Sequence, residues 1–189
     1  MADDYYPWGG EFTACNPQGC IAVVILNIDY TPSDKVAIYG SLKTENIGIE
    51  KIVANVISNP NIRYIVICGE DIRGHRSGSS LVALNKNGID KKNRIIGAPG
   101  AIPYIENLNE EAIKRFQKQI EIVNLIGVED RKKIKKEIQE YIRKSPSPFG
   151  KPYIAIKIKP KAEISFDDKR VIHSKIVVDY MGRINKRGE

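Results

Sequence analysis

The stretch IRYIVICGEDIRGHRSGSSLVALN, residues 62–85, decides the fold. It opens with IRYIVICG (62–69), an almost unbroken apolar run rich in β-branched side chains, the pattern of a strand covered on both faces. Gly69 ends the run. A polar turn punctuated by Gly74 and Gly78 leads into Leu81, Val82 and Leu84, a short helix that stops near Asn87-Gly88. Strand, glycine turn and helix in this order form the unit from which parallel sheets are built.

The same grammar extends upstream. CIAVVILN (20–27) and VAIYG (36–40) read as buried strands. Asn46 caps a helix whose apolar positions are Ile49, Ile52, Val53, Val56 and Ile57, and Asn59-Pro60 ends it. Downstream, RIIGA (94–98) reads as a fourth strand. NEEAIKRFQKQIEIVNLIG (109–127) reads as one long helix, capped by Asn109 and striped by Ile113, Phe116, Ile120 and Val123. EDRKKIKKEIQEYIRK (129–144) is a charged helix with a thin apolar face at Ile134, Ile138, Tyr141 and Ile142, its basic run a solvated face.

SPSPFGKP (145–152) has linker composition, and beyond it the period changes to two. YIAIKIKP and RVIHSKIVVDYMG alternate as antiparallel strands do, with His173 as a structural strand residue. The expected architecture is α/β: residues 1–144 form a Rossmann-like three-layer domain with a mainly parallel sheet. Residues 145–189 form a linker and a small basic antiparallel β appendage.

The 189 residues, 42% hydrophobic and 28% charged, suit a globular chain and exclude disordered and fibrous classes. No run approaches the roughly 18 to 20 apolar residues of a membrane span. MADDYYPWGG has no signal-peptide character, so the expected location is cytoplasmic. The three cysteines, Cys15, Cys20 and Cys68, lack the companions a zinc site needs and read as reduced. A net charge of +7 raises nucleic acid as a rival partner, but no stacking platform or recognition motif supports it.

In parallel sheets, ligands gather where loops leave the carboxyl ends of strands. Three loops qualify: Gly40 to Asn46, Gly69 to Gly78, and Gly97 to Pro103. The middle one holds His75, one of two histidines in the chain. There is no G-x-S-x-G elbow, dinucleotide fingerprint or P-loop to name another chemistry. A lone histidine serves a metal best when the metal brings its own equatorial ligands, as in a tetrapyrrole. Asp71 or Glu70 is then the expected acceptor for the second ring nitrogen. From residue types alone, a plain surface-loop histidine is the more ordinary reading, because a single histidine is compatible with many roles.

KTENIGIEK (43–51), NPNIR (59–63), GHRSGSSL (74–81) and GAIPYIENL (100–108) are long and specific. Through them, from about Tyr6 to about Asp130, the chain strongly resembles the family formed by the A subunit of tetrahydromethanopterin S-methyltransferase. The resemblance implies a corrinoid carrier for methanogenesis. It would hold a cobamide (5-hydroxybenzimidazolylcobamide or a related corrinoid) and pass a methyl group from methyl-tetrahydromethanopterin towards coenzyme M, together with partner subunits. It also implies that His75 is the axial cobalt ligand, binding on methylation and leaving on demethylation. Around it, Lys43, Thr44, Glu45 and Asn46 would meet the corrin amides, with Thr44 and Asn46 equally suited to capping the helix. Gly69, Asp71, Gly74, Gly78 and Ser79 would line the histidine loop, and Gly97, Gly100, Ala101 and Pro103 would face the nucleotide tail. Family members of the membrane complex end in a transmembrane helix, whereas this chain ends in MGRINKRGE. A soluble homologue is therefore expected, either docking on partner subunits or acting apart as a corrinoid-binding, storage or regulatory protein.

Overall fold

The computed structural model describes residues 5–156 and, as backbone, strand residues 170–173, 176–179 and 184–186. The chain forms two compact units, residues 1–157 and 158–189. In the first, β1 (Phe12–Ala14), β2 (Ile21–Ile25) and β3 (Ile38–Ser41) precede α1 (Ile47–Ser58), β4 (Tyr64–Gly69) and α2 (Ser77–Asn87). Then come α3 (Glu110–Gln119), β5 (Glu121–Ile126) and α4 (Arg131–Lys144). The five strands make one mixed sheet in the order β1-β3-β2-β4-β5. β1 runs antiparallel to β3, and the other pairings are parallel.

β2 and β4 are buried along their whole length, as their unbroken apolar runs require. Alternate residues serve opposite faces. Ala22, Val24, Ile65 and Ile67 pack under α1, α2 and α3 through Ile49, Val53, Leu81, Leu84, Ile113 and Phe116. Val23, Ile25, Val66 and Cys68 pack against Ile134 and Ile138 of α4. Helices thus cover both faces of the sheet.

The structure corrects two expected elements. Residues 94–98 are not a sheet strand; they make only the isolated bridges Ile89↔Ile95 and Arg94↔Tyr104. The run buries Ile95 but leaves Ile96 exposed, and its amides are served by loop carbonyls, Ile95 N donating to Pro103 O and Ile96 N to Gly88 O. Nor is 109–127 one helix. α3 ends at Gln119, Ile120 is extended, and Glu121–Ile126 joins the sheet beside β4. EIVNLI satisfies a period of two as well as a helical one, and pairing with β4 buries Val123 and Leu125. Gln119 marks the switch: buried, its Nε2 donates to the carbonyls of Val56, Asn59 and Ile62 at 3.0–3.1 Å.

Residues 145–156 return along the first unit. Phe149 N donates to Pro60 O and Tyr153 N to Ile57 O, while Arg115 stacks over the Phe149 ring at 4.6 Å. The second unit contains a three-stranded antiparallel sheet, β6 (Arg170–His173), β7 (Ile176–Asp179) and β8 (Ile184–Lys186). Of YIAIKIKP, residues 153–156 form no strand and the remainder lies outside the described residues. The side chain of His173 lies outside them too.

Candidate functional site

The loops after β3 and β4 leave the same carboxyl edge of the sheet. Between them they bring His75 to Glu45, with His75 Nδ1 2.9 Å from Glu45 Oε2. The two side chains differ sharply in setting: 57% of the imidazole is exposed, against 4% of the carboxylate. The third loop completes the group, Ile102 N donating to Glu45 Oε1 at 3.0 Å. Its Gly100 is packed so closely that a Cβ there would lie 2.6 Å from the His75 carbonyl oxygen, 2.8 Å from Glu45 Cγ and 2.9 Å from Ser80 Oγ. Only glycine permits this approach.

Burial is the largest influence on the Glu45 carboxyl and pushes its pKa up. The Ile102 amide, its own amide and His75 together outweigh that, leaving it below the ordinary glutamate value. An ionised carboxylate only accepts hydrogen bonds, so Nδ1 of His75 carries the proton. In the neutral imidazole the lone pair then belongs to Nε2, which makes no hydrogen bond to the described residues.

Asp71, the expected partner of the histidine, does not hold it. Its carboxylate accepts from Gly78 N, Ser79 N and Ser79 Oγ at 2.7–3.0 Å, capping α2 in place of Arg76. Glu70 forms no bond to His75 either, its backbone oxygen instead accepting from Asn27 N. The holder comes from a loop distant in sequence, thirty residues before the histidine.

The other candidates divide. Asn46 caps α1 through Ile47 N, and Thr44 Oγ1 accepts from Gly48 N. Lys43 is drawn to Glu11 at 2.6 Å. Gly69 and Gly78 approach Ile28 and Leu26, side chains of the protein itself, whereas Gly74 faces open space. Gly97 abuts Asn87, Ala101 is exposed, and Pro103 is buried, its carbonyl holding Ile95.

Sequence reasoning missed two contributors. Ile102 is 60% exposed although its amide is used, and with Ile72 and Ile47 it gives the edge exposed apolar side chains. Ser80 is fully buried, and its Oγ has no hydrogen-bond partner among the described residues. The third serine of SGSS, one turn into α2, was the available signal.

Chemically, the site offers one imidazole nitrogen of fixed tautomer on an open, apolar-edged surface. Among the described residues no three His, Cys, Asp or Glu side chains are grouped to hold a bare metal ion. A metal with its own equatorial ligands needs only the single donor present. The free Nε2, the buried carboxylate behind it and the unpartnered Ser80 hydroxyl fit such a group. The adjoining cavity between Ile47, Glu50, Ile102 and Tyr104 measures about 110 Å³, too small to enclose a macrocycle, so a flat ligand would lie on the open face.

The model of the MtrA family, described as the A subunit of tetrahydromethanopterin S-methyltransferase, matches residues 1–165. An A subunit of tetrahydromethanopterin S-methyltransferase from Methanothermobacter thermautotrophicus is 48% identical over 158 residues, 82% of this chain and 66% of that protein. The chain thus spans just under two thirds of that relative's length. The A subunit of the putative methyltransferase Mtx from Methanosarcina acetivorans is 41% identical over 188 residues, 97% of this chain and 95% of that protein. Its Methanosarcina barkeri counterpart is 47% identical over 152 residues, 80% and 77% of the two chains.

Proposed function

We propose that this chain, which belongs to the MtrA family of tetrahydromethanopterin S-methyltransferase subunits, is the corrinoid-carrying subunit of a methyltransferase. The observation that carries the proposal is the exposed His75 imidazole with Nε2 free and Nδ1 tied to a buried carboxylate. When bound, the corrinoid supplies cobalt as the carrier of the methyl group. The protein supplies the rest. His75 would offer Nε2 to the cobalt, and Glu45 would hold the imidazole in the tautomer that leaves this nitrogen free and strengthen its donor. Ile102 N and the close approach of Gly100 fix Glu45. Ile47, Ile72 and Ile102 give the macrocycle an apolar edge to cover. Because the imidazole stands mostly in solvent, a flat group could reach Nε2 without unpacking the core.

The family's name supports a tetrahydromethanopterin-linked methyl transfer to sulfur by a protein of several subunits; coenzyme M as the acceptor rests on the sequence resemblance alone. A second reading has one specific support. The Mtx relative matches almost from end to end, which favours a methyltransferase of that kind as the setting.

The test is the cobalt(II) electron paramagnetic resonance spectrum of protein loaded with cobalamin. With nitrogen-15 histidine the wild type should split each line as a nitrogen-15 doublet, and labelled His75→Ala should lose that doublet whether or not the cofactor's own unlabelled base takes the place. A nitrogen-15 doublet that persists in labelled His75→Ala, or is missing from the labelled wild type, refutes the assignment.

A further inference from the structure

Helix α4, RKKIKKEIQEYIRK, holds seven lysines and arginines against Glu137 and Glu140, a net +5 on one helix of a chain whose total is +7. Its apolar face is already used, with Ile134 and Ile138 buried against the sheet. Arg131, Lys132, Lys133, Lys135 and Lys136 are all exposed. Arg131 reaches Asp29 at 3.3 Å and Lys136 reaches Glu140 at 3.9 Å; Lys132, Lys133 and Lys135 pair with no carboxylate among the described residues.

The position of these cations is more telling than their number. The first turn of α4 is the positive end of the helix dipole, where cations cost stability. Its cap, Asp130, accepts from Lys132 N and Lys133 N, but the turn itself carries no acidic residue, whereas α3 follows its cap with Glu110 and Glu111. Three basic residues thus follow a single carboxylate at that end. Composition narrows the partner. Protein interfaces centre on aromatic and apolar anchors and are depleted in lysine, and single-stranded nucleic acid needs stacking rings. The exposed face of α4's first two turns offers neither; it is a lysine-rich plane without an insertion surface.

We propose that α4 is an electrostatic docking face for an anionic lipid headgroup surface. Binding is by charge alone, without burial of an apolar stripe. α4 starts directly after β5, so its basic first turn lies at the carboxyl edge from which the His75 loop also leaves. Docking by this turn holds that edge beside the bilayer.

The experiment is co-sedimentation of the full chain with vesicles of equal parts phosphatidylglycerol and phosphatidylcholine, and with phosphatidylcholine alone. Binding is expected only to the anionic vesicles at low salt, with release as salt rises. The triple variant Lys132→Glu, Lys133→Glu, Lys135→Glu should weaken binding by roughly a hundredfold. It should fold, because acidic residues suit a helix N-terminus, and circular dichroism verifies this. Lys91→Glu with Lys92→Glu, both exposed between α2 and α3, should have little effect. No binding at low salt, undiminished binding of the triple variant, or tighter binding to duplex DNA than to vesicles would each overturn the proposal.

Discussion

Glu45 Oε2 lies 2.9 Å from His75 Nδ1, joining a nearly inaccessible carboxylate to an imidazole that stands mostly in solvent. The anchored end sits inside the protein and the reactive end outside. Histidine nitrogen-15 shifts should therefore show Nδ1 protonated and Nε2 bare in the neutral form. Glu45→Ala should release the preference and leave the Ile102 amide unbonded, at a cost of about 1–3 kcal/mol in urea unfolding. An unchanged Nε2 signal in the variant would mean that the carboxylate does not set the tautomer.

The same carboxylate gives a pH signature. Its folded pKa lies below the ordinary value, so between the two the unfolded chain binds more protons. The contribution of Glu45 is thus present above the ordinary glutamate pKa and disappears as pH falls through the folded one. Unfolding free energies of the wild type and Glu45→Gln, compared across the acid range, should converge as pH drops. A constant difference would show that ionisation of Glu45 is irrelevant.

Gly100 and Gly74 are opposite tests of space. At Gly100 a methyl group would strike backbone and side chains of the site, so Gly100→Ala should cost about 1–3 kcal/mol and weaken cobalamin binding in a spectral titration. Gly74 has open space but φ +90, so Gly74→Ala should cost only the backbone strain of about 1–2 kcal/mol. Undiminished cobalamin binding by Gly100→Ala, or the same loss of binding in Gly74→Ala, would contradict the tight apposition of the two loops at the site.

Cys68 is fully buried in β4, and burial pushes its thiol pKa up to about 11. At neutral pH iodoacetamide should label the partly exposed Cys15 and Cys20, while Cys68 reacts only upon unfolding. Mass spectrometry of native and urea-treated samples checks this. Native labelling of Cys68 at the rate of Cys15 would place β4 away from the centre of the sheet.

Much of the fold was legible because β2 and β4 are short, unbroken, β-branched apolar runs, while α1 and α4 carry a helical period and Asn87-Gly88 ends α2. Ile120 to Ile126 was not, since residues that suit a helical stripe also suit a strand, and only β4 beside them settles the choice. Residues 94–98 offered strand composition, but carbonyls of the neighbouring loops, Pro103 and Gly88, take the amides of Ile95 and Ile96. At the site, the location of His75 followed from the strand-end rule. Its partner did not: Asp71 lay closer in sequence, but the α2 amides claimed it, while Glu45 arrived through the crossover that sets β3 and β4 on either side of β2.

Glu50 lies five positions beyond Glu45, inside α1, and is likewise buried. It accepts hydrogen bonds from the Glu106 amide and from both the backbone and side-chain nitrogens of Asn107. The 102–107 loop is therefore moored at two points, Ile102 to Glu45 and Asn107 to Glu50, and both moorings sit at the start of α1. At its far end α1 is fastened to α3 through Gln119. The start of the helix, the loop and the imidazole thus form one hydrogen-bonded block centred on the two buried carboxylates. Any tilt of α1 would carry carboxylate, loop and histidine together, swinging the Nε2 lone pair as a unit while the 2.9 Å contact behind it stays closed.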